Sequence, residues 1–253
     1  GYSMSAKPAK TAPKNSVHFT LQGKGGVGKS LVSSLLAQYF HSIEGCTVKC
    51  VDTDPVNQTL ANYKALNAQH VQLMNGSKIN ERNFDQLMER LMTEDGVFVV
   101  DNGASSFVPL SNYLIENNAI AMLQEAGREV FIHSVLTGGQ ALTDTLAGFK
   151  ILAEQADTRN MVIWLNEYFG PIEANGKTFT EMKVYTDHAD KVRGIVRIPE
   201  RNQDTFGKDM ELMASKKLTF AEVLSGTDFA LMAKQRMKTV QRDLNEQLAA
   251  VGF

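Results

Sequence analysis

Residues 23–30, which read GKGGVGKS, have the types and spacing needed to hold a phosphate group. They fit the pattern Gly-x-x-x-x-Gly-Lys-Ser, in which glycines let the backbone curl until several N–H groups point inward. The first turn of a following helix adds partial positive charge at the same place. Lys29 is expected to reach the β- and γ-phosphates of a nucleotide, and the Ser30 hydroxyl to bind magnesium. A glycine-rich turn with an accidental match is the alternative, which the position of the motif between a predicted strand and a predicted helix disfavours. The positions predicted to contact the nucleotide here are Gly23, Lys24, Gly25, Gly26, Val27, Gly28, Lys29, Ser30 and Leu31.

Acidic residues follow two further predicted strands. Asp52 and Asp54 come after the strand predicted at residues 47–51, and Asp101 ends the apolar run at residues 97–100. A carboxylate at the carboxyl end of a strand that faces a phosphate can bind magnesium, often through water, or orient an attacking water. Asp101 is therefore predicted to be a magnesium ligand. Capping of the next helix is a second role open to Asp54, and it is compatible with the first.

Alternating short apolar runs and amphipathic stretches must position these residues. The pattern predicts an α/β fold with a mostly parallel central sheet flanked by helices. Strands are predicted at residues 17–21, 47–51, 97–100, 119–123, 130–136, 161–165 and 192–198. Helices are predicted at residues 29–40, 83–92, 139–155 and 227–250. Neither an internal repeat nor an interdomain linker interrupts the pattern, so residues 17–253 are interpreted as a single domain.

Residues 1–16 differ in character from the rest of the 253-residue chain. They are rich in Ala, Lys, Pro, Thr and Ser, and they are interpreted as a disordered basic tail. The first three residues precede Met4 and look like the remnant of an expression tag.

Composition excludes several classes of function. The net charge of −2 does not indicate a nucleic-acid binder, although residues 191–253 have a mild basic excess. The two cysteines, Cys46 and Cys50, lack the spacing of a metal site, and the five histidines are scattered. No apolar run approaches the roughly 20 residues that a membrane-spanning helix needs. A cytoplasmic protein without a metal site built from its side chains alone is therefore expected.

Lys24, which directly follows Gly23, carries a resemblance to a known family. A second lysine at this position marks the deviant Walker A group, and the sequence resembles the ParA and MinD ATPases of that group. The resemblance implies a P-loop NTPase fold that binds ATP with Mg²⁺ and forms an ATP-dependent homodimer. It also implies that Lys24 crosses the dimer interface to the phosphates of the partner subunit. A solvated lysine on an exposed loop is the alternative.

The same resemblance assigns roles to the acidic residues. The segment DTDP at residues 52–55 resembles the first switch of the family, which implies that Asp54 orients the attacking water and that Asp52 lies near the magnesium shell. The implied catalytic residues are Lys24, Lys29 and Asp54. The implied magnesium ligands are Ser30, Asp52 and Asp101.

Asn166 and Pro199 are expected to form an adenine pocket. Asn166 closes the strand predicted at residues 161–165, and Pro199 follows the strand predicted at residues 192–198. In the family, an asparagine at the first position hydrogen-bonds adenine, and a proline loop at the second presses on the ring. The chain has no Thr/Asn-Lys-x-Asp motif, which disfavours guanine. A helix-capping asparagine and an ordinary turn proline are the alternatives.

Longer segments resemble a group of ParA-like proteins encoded among plasmid transfer genes. They lie at residues 22–24, 54–57, 101–110, 137–142, 164–166, 168–173 and 217–220. This resemblance implies a role in bacterial conjugation, with partners in the DNA-processing complex or the secretion channel. Asn102-Gly103 stands where many ParA-type relatives have Thr-Pro or Ala-Pro, which leaves partner-stimulated hydrolysis open.

Several functions compete on these features. The first is a dimeric switch that slowly hydrolyses ATP; the others are an assembly adaptor with little turnover, a plasmid partition or positioning ATPase, and a P-loop metabolic enzyme. Non-specific DNA binding is also open, through a possible basic face. Its residues are Arg193, Arg197, Arg201, Lys208, Lys216 and Lys217. Membrane binding by the terminal helix is disfavoured, because its apolar residues are spaced as a core stripe.

Overall fold

The computed structural model describes Pro13 and residues 15–22, 24–26 and 28–253. The tail expected at residues 1–16 therefore lies largely outside the described residues, as do Gly23 and Val27 of the phosphate motif. The first strand begins at Ser16, which is buried. The sheet thus starts one residue before the boundary expected at Val17.

The strands are short and separated by loops or helices. They are β1 (Ser16–Thr20), β2 (Val48–Asp52), β3 (Gln69–His70), β4 (Met74–Asn75), β5 (Lys78–Ile79), β6 (Val97–Asp101), β7 (Glu129–Thr137), β8 (Met161–Asn166), β9 (Glu173–Ala174), β10 (Lys177–Thr178) and β11 (Val192–Ile198). Seven of them form one parallel sheet in the order β11-β8-β7-β1-β6-β2-β3. The predicted parallel sheet is confirmed. The pairs β4–β5 and β9–β10 form small antiparallel hairpins outside it.

Helices connect the strands and cover both faces of the sheet. They are α1 (Lys29–His41), α2 (Glu81–Thr93), α3 (Phe107–Glu116), α4 (Ala119–Glu125), α5 (Leu142–Gln155), α6 (Lys183–Thr186), α7 (Lys208–Ser215), α8 (Phe220–Ser225) and α9 (Leu231–Val251). A π-helical turn at Gln203–Gly207 leads into α7.

Two apolar clusters sandwich the sheet. Helices α2 to α6 pack on one face, and α1, α7, α8 and α9 pack on the other. In β6, Phe98 and Val100 belong to the first cluster, whereas Val97 and Val99 belong to the second. This alternation explains why the strand reads as an unbroken apolar run, since a parallel sheet is buried on both sides. The predicted core stripe of the terminal helix is present in α9.

One predicted element is wrong. Residues 119–123 were expected to form a strand, but they lie in α4. Ala119, Ile120 and Leu123 are buried there, which is helical spacing rather than strand alternation. Ala, Met and Leu are also strong helix formers.

A buried chain of polar side chains joins the neighbouring strands β1, β7 and β8. Trp164 Nε1 donates to His133 Nδ1 at 2.9 Å, so His133 must carry its proton on Nε2. The His133 Nε2–H donates a hydrogen bond to His18 Nδ1, with 2.8 Å between the two nitrogens. His18 therefore carries its own proton on Nε2, which donates to Ser16 Oγ at 3.2 Å. Burial lowers the pKa of His133 to about 3. Burial, reinforced by the neighbouring His133, holds the pKa of His18 well below its ordinary value. Both rings are therefore neutral.

Candidate nucleotide-binding site

The phosphate motif connects the central strand β1 to helix α1. Gly26 and Gly28 have φ angles of 73° and 92°, in the left-handed region that favours glycine. Gly28 is the N-cap of α1, and a Cβ added to it would lie 2.9 Å from Asn166 Nδ2. Glycine is therefore required at residue 28 both by its backbone angle and by the close approach of Asn166.

The Asp101 carboxylate accepts hydrogen bonds from several side chains of the phosphate motif and helix α1. It is fully buried at the end of β6, and Lys29 Nζ donates to its Oδ1 at 2.7 Å. The Ser30 hydroxyl donates to Oδ2 at 3.0 Å, and the Ser33 hydroxyl donates to Oδ1 at 2.8 Å. The structure thus brings together the two predicted phosphate-motif residues and the predicted magnesium ligand. The set combines a cation for phosphate with hydroxyl and carboxylate oxygens, the ligands that Mg²⁺ prefers.

Ser33 was not predicted as part of this set. It lies one turn after Lys29 on the same face of α1, and its hydroxyl also lies 2.7 Å from Thr20 Oγ1. The spacing i, i+4 from Lys29 is the sequence signal that could have found it.

Two adjoining cavities flank the motif. The first, here called the phosphate cavity, has a volume of about 250 Å³. It is lined by Lys24, Gly25, Gly26, Gly28, Lys29, Ser30, Leu31, Asp54, Asn57, Thr59, Tyr63, Ala104, Ala214 and Lys217. The second, here called the base groove, has a volume of about 380 Å³ and includes the predicted Asn166 and Pro199. Aromatic side chains of Tyr168, Phe169 and Phe206 line the same groove.

The two predicted switch aspartates differ in their positions. Asp52 is buried, and its oxygens accept from the backbone N–H groups of Asp54 at 2.9 Å and Ala61 at 2.8 Å. Burial raises the pKa of Asp52 above its ordinary range. Asp54 lines the phosphate cavity, but its Oδ1 accepts from the N–H groups of Val56 and Asn57 at 2.9 and 3.1 Å. The cavity is therefore reached by Asp54 and not by Asp52. The capping role predicted for Asp54 is wrong, because its two contacts lie in a turn and the next helical turn, Leu60–Asn62, begins after Thr59.

The Asn102-Gly103 pair packs tightly against residues 53–55, part of the predicted first switch. A Cβ on Gly103 would lie 2.7 Å from Asp54 Oδ1 and 3.1 Å from Pro55 Cδ. Thr53 Oγ1 donates to Asn102 Oδ1 at 2.6 Å, and Asn102 Nδ2 donates to the Thr20 carbonyl at 3.3 Å. A glycine therefore stands at residue 103 because the loops after β2 and β6 touch there.

Lys24 lies at the open side of the phosphate cavity. Its ammonium is 3.4 Å from Asp144 Oδ2 at the start of α5, and both side chains are about half exposed. An exposed pair of this kind contributes little to stability. Lys24 is thus accessible from outside the chain.

Comparison with known proteins then identifies the family. No family model matches the chain. A TraL protein of Escherichia coli is 49% identical over 235 residues, which cover 92% of this chain and 97% of the relative. A second Escherichia coli TraL protein is 47% identical over 233 residues, which cover 92% and 96%. The chain belongs to the TraL family.

Solved structures place this TraL-family chain in a wider fold class. A plasmid partition protein of Borrelia burgdorferi B31 bound to AMPPNP superposes with a TM-score of 0.54 at 14% identity, over 92% of this chain and 99% of that one. A chain of the MinC:MinD cell division protein complex of Aquifex aeolicus gives a TM-score of 0.50 at 14% identity, over 90% of this chain and 95% of that one. At this identity the likeness shows the fold alone, which is that of the ParA/MinD P-loop NTPases.

Most of the basic residues for which DNA binding was left open contact other residues of the TraL-family chain. Arg193 donates to the Val251 and Gly252 carbonyls. Three others face carboxylates: Arg197 with Glu167 at 3.6 Å, Arg201 with Asp243 at 3.5 Å, and Lys216 with Asp228 at 3.4 Å. Lys208 is exposed, and Lys217 lines both cavities. Among the described helices, none has the length and apolar character needed to cross a membrane.

Proposed function

We propose that this TraL-family chain is a ParA-like ATP switch that binds ATP with Mg²⁺, dimerises and slowly hydrolyses the nucleotide. The observation that carries the proposal is the junction of the phosphate cavity and the base groove. The two share Gly26, Gly28 and Leu31, so one ligand with a base and a polyphosphate can occupy both. A nucleoside triphosphate has that shape.

The residues present fit such a ligand. The left-handed glycines and the N-terminus of α1 provide a cradle for phosphate. In the site as described, Lys29 neutralises the buried Asp101. With nucleotide bound, Lys29 would neutralise phosphate charge instead, while Asp101 and Ser30 would hold Mg²⁺. The metal would supply neutralisation of charge on the transferred phosphoryl group.

Hydrolysis would depend on Asp54 and on the two lysines. Asp54 lines the phosphate cavity, where its carboxylate would orient the attacking water. Lys29 and, from the partner subunit, Lys24 would stabilise negative charge on the γ-phosphate. The exposure of Lys24 supports this second role, because the side chain can reach a neighbouring molecule.

Family membership supports a proposal for the biological setting. TraL proteins share about half of their residues with this chain over nearly their whole length. Together with the sequence resemblance to proteins encoded among plasmid transfer genes, this supports a role in bacterial conjugation. DNA-processing or secretion-channel proteins would be the partners that recognise one nucleotide state.

A second candidate function is an assembly adaptor that binds ATP but hardly turns it over. It is favoured by one observation: Asp54 Oδ1 accepts two backbone N–H groups and lies against Gly103. A carboxylate held in this way is less available to a water molecule.

Calorimetric titration with AMPPNP and Mg²⁺, beside an assay of ATP turnover, tests both candidates. We expect the wild-type chain to bind AMPPNP and Lys29→Ala to bind it at least tenfold more weakly. Asp54→Ala should still bind AMPPNP but lose turnover. A wild-type chain that binds AMPPNP but turns over no more ATP than Asp54→Ala, both at background level, would favour the adaptor. A wild-type chain that does not bind AMPPNP would refute the proposal.

A further inference from the structure

Lys217 occupies a position that neither the motif nor the family resemblance assigned to the nucleotide. We propose that its ammonium binds the α-phosphate, which is closest to the base and is present in both ATP and ADP, and so fixes the ligand across the junction of the two cavities. The inference rests on the proposed nucleotide binding, and it adds a recognition residue that lies about 190 residues after the P-loop in the chain.

Lys217 lies where the phosphate cavity meets the base groove. The described residues that line both are Gly26, Gly28, Leu31, Ala214 and Lys217. Lys217 is the charged member of that set. In a nucleotide that occupies both cavities, the phosphate closest to the base would lie at this junction, beside Lys217. A lysine ammonium binds phosphate as a compact point charge.

The charge of Lys217 is not neutralised within the described part of the chain. Its neighbours Arg201 and Lys216 each have a carboxylate within 3.5 Å, whereas Lys217 has none at ion-pair distance among the described residues. Its Nζ donates to the Ala214 carbonyl at 3.1 Å. An ammonium has three N–H donors. The half-buried side chain therefore keeps donors and a full charge for a ligand at the cavity junction.

The backbone of Lys217 shows that stability does not explain the choice of lysine. Its φ angle of 54° lies in the left-handed region. The Leu218 N–H donates to the Met213 carbonyl at 3.0 Å, and the Lys217 N–H to the Ala214 carbonyl at 3.2 Å. These two bonds form a Schellman motif at the end of α7, and glycine is the usual residue at this place. A lysine there costs stability that glycine would not, which is a pattern found at functional sites.

Replacing Lys217 should change nucleotide affinity and thermal stability in opposite directions, and the test measures both. In Lys217→Gly, the left-handed backbone is relieved, so the thermal midpoint without nucleotide should rise by about 2 °C. Loss of a charge-assisted contact should weaken AMPPNP and ADP binding, measured with Mg²⁺, by about tenfold each. Lys217→Arg keeps the charge and should retain most of the affinity.

Asn118→Gly is the matched control. Asn118 also has a left-handed φ angle, 52°, and it lies at the start of α4 outside both cavities. This variant should bind AMPPNP as the wild type does. The inference is overturned if Lys217→Gly binds AMPPNP with wild-type affinity, if it weakens AMPPNP but not ADP, or if Lys217→Arg is as weak as Lys217→Gly. Failure of the wild-type chain to bind either nucleotide would instead refute the proposed function.

Discussion

Asp101 is fully buried, and Lys29 lies 2.7 Å from it with only 9% of its side chain exposed. Two buried charges of opposite sign compensate each other, so removing one leaves the other in a medium that solvates it poorly. The Ser30 and Ser33 hydroxyls satisfy further lone pairs of the carboxylate but bring no charge. The ion pair therefore links the nucleotide site to the stability of the core.

Replacing Lys29 by methionine should lower the free energy of unfolding by about 3 kcal/mol, because Asp101 then has no cation. Urea unfolding of the nucleotide-free chain measures this loss. The double variant Lys29→Met, Asp101→Asn removes both charges and should recover most of it. A single variant as stable as the wild type would show that the pair does not compensate a buried charge.

At the same scale, sequence patterns indicated Lys29, Ser30 and Asp101 but not Ser33 or Lys217. Lys29, Ser30 and Asp101 follow from a spaced motif and a strand end, so pattern alone placed them near one another. Ser33 belongs to no motif, and Lys217 belongs to a segment, residues 217–220, whose resemblance assigns it no contact with the nucleotide. The spacing i, i+4 from Lys29 could have indicated Ser33. The place of Lys217 depends on how the end of α7 packs beside the cavities, which no local pattern records.

At the scale of elements, the loop after β7 lies directly against the loop after β8. A Cβ on Gly138 would overlap the backbone of Gly170 and Pro171, and the next residue, Gly139, approaches the Phe169 carbonyl. Phe169 lines the base groove. The close approach of these two loops therefore sets one wall of the groove.

Gly138→Ala should lower the free energy of unfolding by about 2 kcal/mol, because the methyl group meets rigid backbone rather than a side chain that can turn away. Gly25→Ala is the comparison, since a Cβ there meets nothing within 4 Å and its φ angle is not left-handed. Thermal unfolding of both variants without nucleotide is the measurement, and the midpoint of Gly138→Ala should be the lower one. Equal midpoints would mean that the two loops are free to separate.

The histidine chain across β1, β7 and β8 predicts how stability depends on pH. A histidine in the unfolded chain has a pKa near 6.5, whereas burial holds the pKa of His18 well below that and lowers the pKa of His133 to about 3. The folded state therefore binds fewer protons, and stability that is present above pH 6.5 is lost as the pH falls towards 3. Each histidine adds up to about 1.4 kcal/mol per pH unit to this slope.

Urea unfolding at several pH values between 6.5 and 4 measures the slope, and His133→Gln provides the control. Glutamine can accept from Trp164 and donate to His18, but it does not titrate. The slope should become shallower in this variant. An unchanged slope would assign the pH dependence to carboxylates elsewhere.

Sequence patterns predicted the elements unevenly, for physical reasons. Strand β6 was recognisable as an unbroken apolar run because it is buried on two faces, and helix α9 because burial of one stripe leaves a helical period. Helix α4 was wrongly predicted as a strand, because a short apolar run fits both. Helices α7 and α8 were not predicted at all; each has fewer than nine residues, too few for a helical period to stand out.

At the scale of the whole molecule, the site is open at Lys24. This lysine lines the phosphate cavity, yet its side chain is half exposed and pairs with Asp144 of the same chain at 3.4 Å. A weak exposed pair can exchange for a stronger one with phosphate. Dimerisation with ATP would therefore replace the contact of Lys24 with Asp144 by a contact with the nucleotide of the partner subunit.

The central claim is that ATP brings two chains together across their phosphate cavities. Sedimentation velocity of the chain without nucleotide, with ADP, and with ATP and Mg²⁺ tests it most directly, beside Lys24→Ala. We predict that the wild-type chain is a dimer with ATP and Mg²⁺ and a monomer in the other two conditions. The Lys24→Ala variant should be a monomer in all three. A wild-type chain whose oligomeric state is the same in all conditions would contradict the claim, as would a Lys24→Ala variant that dimerises as the wild type does.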